Sequence, residues 1–389
     1  WMTALEADLH SACARSAILG TSECFTGCVA IGSLDYDAPA GNLQAQDQPD
    51  SRTMSGLYHW LLVTHRGSQT TELLIHPDCP MVTRKRVTAL VETKQPAVAD
   101  SFHLAEHFCP AISKHQYQAH IASIQDYILA GDCYQVNYAQ RFEATLEGDA
   151  WSAYRYVRTL LAGGFSGFLR TDEDHAILSL SPERFLRIHR GTVTSQPIKG
   201  TAPRHSDPEQ DAALAKALLN SEKDRAENVM ITDLLRNDLG QFCETGSVRV
   251  TELCGLHSFN NVHHLISTVE GKLAPGVSAG QMLLATSPGG SITGAPKKRA
   301  VEIIAELEPV PRGAYCGSLF ILGGEDWLQS SIAIRTLEVT GNTVHCWGGG
   351  GITVSSQWEA EYQETLDKVG PIMAALEEAN QCSGSSIPS

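Results

Sequence analysis

Two helix-like stretches place carboxylates where a cation could be held. In SEKDRAENVMITDLLRNDLG (221–240) Asp224 and Glu227 stand three residues apart, hence on one helix face. Glu227 shares that face with Met230, Ile231 and Leu234, so a carboxylate interrupts an apolar stripe. Between about 357 and 378 the device recurs: Glu361 and Glu364 are three apart, with Lys368 four further on, beside Trp358, Tyr362, Val369, Met373 and Leu376. Burying even a neutral polar group without a partner costs roughly 2–7 kcal/mol, so carboxylates beside a core stripe call for a partner. Two acidic pairs suit a hard divalent cation, and Mg²⁺ needs only one or two carboxylates plus water and substrate oxygens. The alternative is two solvated faces with Glu364 and Lys368 an ordinary i,i+4 pair, and spacing alone favours it.

Two glycine clusters could receive an anion. TSPGGSITGAPKKRAVEII (286–304) runs into a helix with Pro296 in its first turn, where free amides favour negative charge. It is not a P-loop, because Ala295 and Pro296 follow Gly294 where Lys and Ser/Thr would be needed. WGGGGI (347–352) allows close backbone approach to a ligand. Tight turns alone would explain either cluster equally well. In QPIKGTAPR (196–204), Lys199 lies between an apolar residue and a glycine after hairpin-like sequence, which predicts a strand end. HLAEH (103–107) matches a zinc-peptidase pattern without a third ligand, and a chance match is the better reading. His263 and His264 are adjacent, so on a strand only one can face a site.

The elements that would position these groups come from a 389-residue chain, 42% hydrophobic and 19% charged. That length supports one large domain or two ordinary ones. A formal net charge of −15 without a basic run argues against nucleic acid and anionic membranes as partners. No apolar run approaches the roughly 18 residues of a membrane span. The first residues, WMTALEADLHSACARS, carry acids where a signal peptide needs bases, and the eleven cysteines show no paired spacing. Both features predict a cytoplasmic protein with reduced thiols. Periodicity predicts strands at 58–63 and 71–76, a helix from 113 ended by Gly131, and a strand after Cys133. Further helices are predicted near 151–162, 207–219, 222–239, 296–308 and 357–378, with strands over 166–194 and 314–352. The interspersed helices and hairpins are not the βαβ alternation of a Rossmann domain.

Taken in order, YQVNYAQRF, SLSPERFLRI, QPIKGTAPR, DRAENVMITDLLRNDLG, VHHLISTVEG, SPGGSITGAPKKRAVEIIAELE, GAYCGSLF, IAIRT and GGGITVSSQWEAEYQETLDKV closely resemble the chorismate-utilising enzymes. That family includes the first components of anthranilate and aminodeoxychorismate synthases and the isochorismate and salicylate synthases. The resemblance covers about 113–379. It implies an α+β fold, a large sandwich of two facing β-sheets with helices outside. Residues 1–112 would form a β-rich N-terminal portion packed on a chorismate-binding catalytic core (113–379), and 380–389 a tail. The resemblance makes Glu227 and Glu364 direct Mg²⁺ ligands, with Asp224 and Glu361 supporting. Tyr315 and Arg335 would grip the enolpyruvyl side. Gly349, Gly350 and Gly351 would donate backbone amides, Gly200 and Thr201 would line the ring, and Lys368 would add a cation. His264 would stand near the departing C4 hydroxyl, and Glu183 would be the general acid/base.

Two positions separate the branches of that family. Enzymes adding water at C2 carry a lysine where this chain has Gln135, which argues against hydroxylation. Anthranilate synthases have PIAGT where this chain has PIKGT, and the lysine is the aminodeoxychorismate synthase form. The resemblance therefore implies Mg²⁺-dependent conversion of chorismate and ammonia to 4-amino-4-deoxychorismate through a covalent adduct of Lys199, on the route to p-aminobenzoate and folate. The alternatives are an anthranilate synthase component and a subunit that only binds chorismate. No G-x-C-x-G glutaminase motif is present, so ammonia is expected from solution or from a separate glutamine amidotransferase subunit, the component II partner. LLAGGFSGF (160–168) replaces the NPSPY-like segment of tryptophan-binding members.

Overall fold

The computed structural model describes residues 2–16, 28–38, 53–65, 67–93, 101–161, 163–260, 262–324 and 327–379. Among these, two large antiparallel sheets dominate, a nine-stranded and an eight-stranded one. The larger runs Ile198–Pro203, Val262–Lys272, Thr192–Gln196, Arg184–His189, Trp327–Ile332, Ser318–Gly323, Val29–Leu34, Met54–Tyr58, with Arg249–Ser258 also paired to Val262–Lys272. The smaller runs Gly294–Ala295, Gln135–Gly148, Thr343–Ile352, Thr336–Thr340, His175–Ser179, Gly167–Arg170, with Phe102–Leu104 and Cys109–Pro110 also paired to Gln135–Gly148. The N-terminal strands Val29–Leu34 and Met54–Tyr58 thus extend the larger sheet, whereas Trp60–His65 and Thr70–Ile75 form a hairpin of their own.

The main core draws Leu186, Ile188, Val193, Val269 and Leu328 from the larger sheet and Val136, Tyr138, Trp347 and Ile352 from the smaller. Helices cover the outside: Ile231, Leu235 and Leu239 of Glu222–Gly240 join this core. Ala150–Leu161 and Trp358–Ala379 bury Val157, Val369, Ile372 and Leu376 in a second cluster with Phe142, Leu178, Leu337 and Val344. This is the α+β sandwich the resemblance implies. Lys114–Leu129 shows the local causes of such an element. Ser113 and Gln116 form a capping box, and Tyr117, Ile121 and Ile124 repeat at helical spacing on the buried face. A cap of this kind is worth about 1 kcal/mol.

Three helices lie outside the sequence expectation: Met2–Ser16, Met81–Glu92 and Ala279–Thr286. The last buries Ala279, Gly280, Met282, Leu283 and Thr286 and exposes Gln281 and Ala285, so a single exposed polar residue in eight gives periodicity little contrast to report. The zinc-like HLAEH is likewise not one helix. His103 lies on the strand Phe102–Leu104 and pairs with Glu147 at 3.0 Å, while His107 pairs with Glu377 at 2.9 Å.

Candidate active site

Between the sheets and the two carboxylate helices lies a cleft of about 790 Å³, within the size range of small-molecule sites. Its walls include Glu183, Lys199, Gly200, Thr201, Asp224, Glu227, His264, Tyr315, Arg335, Gly349, Gly350, Gly351, Glu361, Glu364 and Lys368. Residues proposed from distant segments therefore converge. Gln135 is the exception. It is buried, its amide packs across Gly351 so closely that a Cβ there would collide with it, and it does not line the cleft.

Lys199 is not at a strand end. It is the second residue of Ile198–Pro203, where the register against Val262–Lys272 shifts between Ile198 and Thr201. A β-bulge takes a residue out of the ladder and re-aims its side chain. Gly200 makes the bulge possible: its φ is +85°, and a Cβ would come within 2.9 Å of Asp224 Cβ. The same strand step thereby packs against the first turn of Glu222–Gly240, whose N-cap Ser221 accepts the Asp224 amide.

The Lys199 end is the drier one: Glu183, Ser291 and His264 are buried there, and Lys199 itself is half-buried. Lys199 Nζ donates to the Ser291 carbonyl at 3.1 Å, and the Ser291 hydroxyl donates to Glu183 Oε1 at 3.0 Å. Glu183 is only 5% exposed. Burial raises its pKa against the opposing charge of Lys199 and the Ser291 bond, which favours a proton-carrying carboxyl. His264 Nδ1 shares a 2.9 Å hydrogen bond with Thr201 Oγ1 across the paired strands. Burial, then the charge of Arg335, brings its pKa down to about 4, so the imidazole is neutral near pH 7. Its neighbour His263 faces away and pairs with Asp211 at 3.1 Å. Arg335 sits at φ +51°, an unfavourable conformation for a side-chain-bearing residue, and burial alone lowers its pKa. No carboxylate among the described residues pairs with it, so the guanidinium can take one from a ligand. Tyr315 is buried and stacks parallel on Trp347 at 5.8 Å.

The opposite end is wetter and acidic. A Cβ on Gly350 would lie 3.4 Å from Glu361 Oε2, 3.6 Å from Glu364 Oε1 and 3.6 Å from Lys368 Nζ, which places the final helix directly over the glycine strand. Lys368 pairs with Glu364 at 2.8 Å and donates to the Gly349 carbonyl at 2.9 Å. Glu361 is buried and accepts from Ser356 at 2.7 Å. Burial raises Glu227, opposed by Lys199 and Lys223 and reinforced by Glu364 and Asp224. Burial would raise Glu364 too, yet Lys368 brings it net below the usual range. Among the described residues no three His, Cys, Asp or Glu side chains close a metal cage. Glu227 and Glu364, from two helices lining one open cleft, nevertheless fit the partly hydrated coordination that Mg²⁺ prefers.

Sequence reasoning missed Asn137, Ser291, Lys223 and Trp347, which also line the cleft. Lys223 stands four residues before Glu227 on one helix face and could have been read from that spacing. Nothing local marks Ser291. The helix start at Pro296 lies instead on a second cavity of about 990 Å³, where Lys297 pairs with Asp238 at 2.6 Å.

The chain matches the family model described as chorismate binding enzyme over residues 3–374. It is 47% identical over 322 residues to aminodeoxychorismate synthase component 1 of Klebsiella aerogenes, and 46% over the same length to that of Escherichia coli strain K12. Each alignment covers 83% of this chain and 70% of the relative. The crystal structure of anthranilate synthase component I from Streptococcus pneumoniae TIGR4 superposes with a TM-score of 0.80 at 29% identity, covering 96% of this chain and 85% of that one. The cleft therefore sits on a known scaffold, and this chain belongs to the chorismate-binding enzymes.

Proposed function

We propose that the enzyme aminates chorismate at C4, giving 4-amino-4-deoxychorismate. The observation that carries this reading is Lys199, held on a bulge beside the buried carboxyl of Glu183. Direct displacement of the C4 hydroxyl by ammonia would have difficulty retaining the ring geometry, and two successive displacements retain it. The Lys199 amine attacks C2, the two ring double bonds shift, and the C4 hydroxyl departs as water with the Glu183 proton. Ammonia then attacks C4, the double bonds shift back, and the lysine amine leaves C2. Glu183 takes up the proton released on amination and is reset. Neutral His264 can hydrogen-bond the C4 hydroxyl without adding charge beside Arg335, and Arg335 with Tyr315 suits the enolpyruvyl carboxylate.

Glu227 and Glu364 would hold Mg²⁺, with Asp224 and Glu361 supporting them. When bound, the ion would neutralise the ring carboxylate, which the local acidic field otherwise repels. The Gly349–Gly351 backbone and Lys368 offer further donors for that carboxylate. Ammonia would come from a separate glutamine amidotransferase subunit, and the product would feed p-aminobenzoate and folate synthesis. The test is to incubate the purified chain with chorismate, Mg²⁺ and an ammonium salt at saturating concentration and to identify the product. A C4-aminated product is expected. Anthranilate, isochorismate or no turnover would sink the reading.

A further inference from the structure

We infer that Ser291 is a positioning residue that orients the acid and the nucleophile together. One residue supplies two opposite hydrogen-bonding ends. Its hydroxyl donates to Glu183 Oε1, and its carbonyl accepts from Lys199 Nζ. Ser291 is 6% exposed and Glu183 5%, so water does not compete for the bond between them. The hydroxyl is also the only hydrogen-bond donor to the Glu183 carboxyl among the described residues.

The chemical consequence concerns where the transferable proton sits. An oxygen that accepts a hydroxyl donor is disfavoured as a protonation site, because its lone pair is engaged. The donation to Oε1 therefore leaves Oε2 to carry the proton delivered to the C4 hydroxyl. The carbonyl meanwhile holds Lys199 at a fixed reach from the same turn. An acid and a nucleophile that act on C4 and C2 in one step need such a common reference, since misplacement by about 1 Å can cost on the order of a hundredfold in rate.

The turn itself is braced from behind. It is the short 3-10 segment Gly290–Ile292. Arg312 donates to the Ile292 carbonyl at 2.9 Å, and Thr293 Oγ1 donates to the Gly289 carbonyl at 3.1 Å. Leu234 packs against Gly290 so tightly that a Cβ there would meet its Cδ2 at 2.5 Å. These contacts do not involve the serine hydroxyl, so the hydroxyl can be removed while the turn is kept.

The inference rests on the proposed roles of Glu183 and Lys199, and the experiment keeps the two questions apart. Chorismate consumption is followed in Ser291→Ala, Ser291→Val and Ser291→Thr, with the wild-type product identified separately. Ala and Val should lower kcat by about tenfold to a hundredfold with KM and thermal stability little changed. Thr, which keeps the hydroxyl and matches Val in shape, should stay within a few-fold of wild type. In a Glu183→Gln background the same Ser291→Ala change should cost almost nothing further, because the serine acts through Glu183. Equal losses in both backgrounds, equal losses for Thr and Val, or full activity in Ser291→Ala would each overturn the inference. If the wild type yields anthranilate, C4 amination fails, while the Ser291–Glu183 coupling is still read from the same rates.

Discussion

The two ends of the cleft use charge in opposite ways. At the Lys199 end, Glu183 and Ser291 are nearly inaccessible, and Ser291 ties Glu183 Oε1 and the half-buried Lys199 together through one hydrogen bond each. At the acidic end, Lys368 and Glu364 keep 41% and 45% of their side-chain surface exposed. Water screens the second pair and not the first. A group buried as Glu183 is has its proton affinity set by the fold, which suits an acid. A carboxylate at a wet cleft stays charged and exchangeable, which suits a dissociable cation. The contrast predicts large, rate-specific effects at the dry end and small, salt-sensitive ones at the wet end.

The largest effect should follow Lys199→Ala. With no nucleophile, C4 amination should fall by at least about a thousandfold, on the order of 4 kcal/mol in the barrier. The bulge is set by Gly200 and the register shift, so the melting temperature should barely move. Product formation by chromatography alongside thermal denaturation checks both halves. Retention of full rate would remove the covalent step and make the dry end an ordinary binding wall.

Beneath the dry end lies a buried ion pair. Arg312 and Glu308 are 1% and 3% exposed and 2.6 Å apart. Arg312 also donates to the carbonyls of Ile292 and Asn137, and Glu308 accepts the Ala139 amide. Arg312→Met should destabilise the fold by about 3–5 kcal/mol, because it strands Glu308 uncompensated in the core. Arg312→Met with Glu308→Leu should recover much of that loss, since an apolar pair leaves no orphan charge. Urea unfolding of the three proteins decides it, and a loss below 1 kcal/mol in the single variant would contradict the buried character of this end.

The sequence reported the wet end better than the dry one, for a geometric reason. Residues three and four apart on a helix share a face, so Asp224 with Glu227 and Glu361 with Glu364 could be grouped from spacing alone. Glu183 and Ser291 are 108 positions apart, and Lys199 and Ser291 are 92 apart. Only tertiary pairing brings such residues together, and motif order located Glu183 and Lys199 while leaving Ser291 as one residue of a glycine loop. The bulge at Lys199 was hidden too, because a two-for-one register shift breaks the alternation that identifies a strand, and only Gly200 hinted at it. Most later helices were legible because their apolar stripes have period 3.6. Ala279–Thr286 is short and exposes Gln281 as its one polar residue outside the core, so its stripe had too little contrast to stand out.

A pH experiment probes the dry end with a smaller expected effect. His264 is held down to about 4 by burial and by Arg335, against an unfolded value near 6.5. The unfolded chain therefore binds the extra proton first. The contribution is full above pH 6.5 and is lost as pH falls towards 4. After allowing for partial solvent access, that loss should amount to roughly 2 kcal/mol. His264→Asn should flatten the fall in stability between pH 7 and 4.5 by that amount, measured from urea midpoints at the two pH values. An unchanged slope would mean that His264 titrates normally and is hydrated like the wet end.

The smallest effect should come from Lys368→Met. This change removes both the 2.8 Å pair with Glu364 and the bond to the Gly349 carbonyl. Those contacts look as close as the ones around Ser291, yet exposed pairs typically contribute under about 1 kcal/mol. Unfolding free energies of wild type and variant should differ by no more than that at low salt. At about 1 M salt, where the screening length is roughly 3 Å, the electrostatic part of the difference should largely disappear. A salt-independent loss above about 2 kcal/mol would show that the acidic end is effectively desolvated. Distance alone would then predict energy at both ends, and the division between a fold-set acid and an exchangeable cation site would fail.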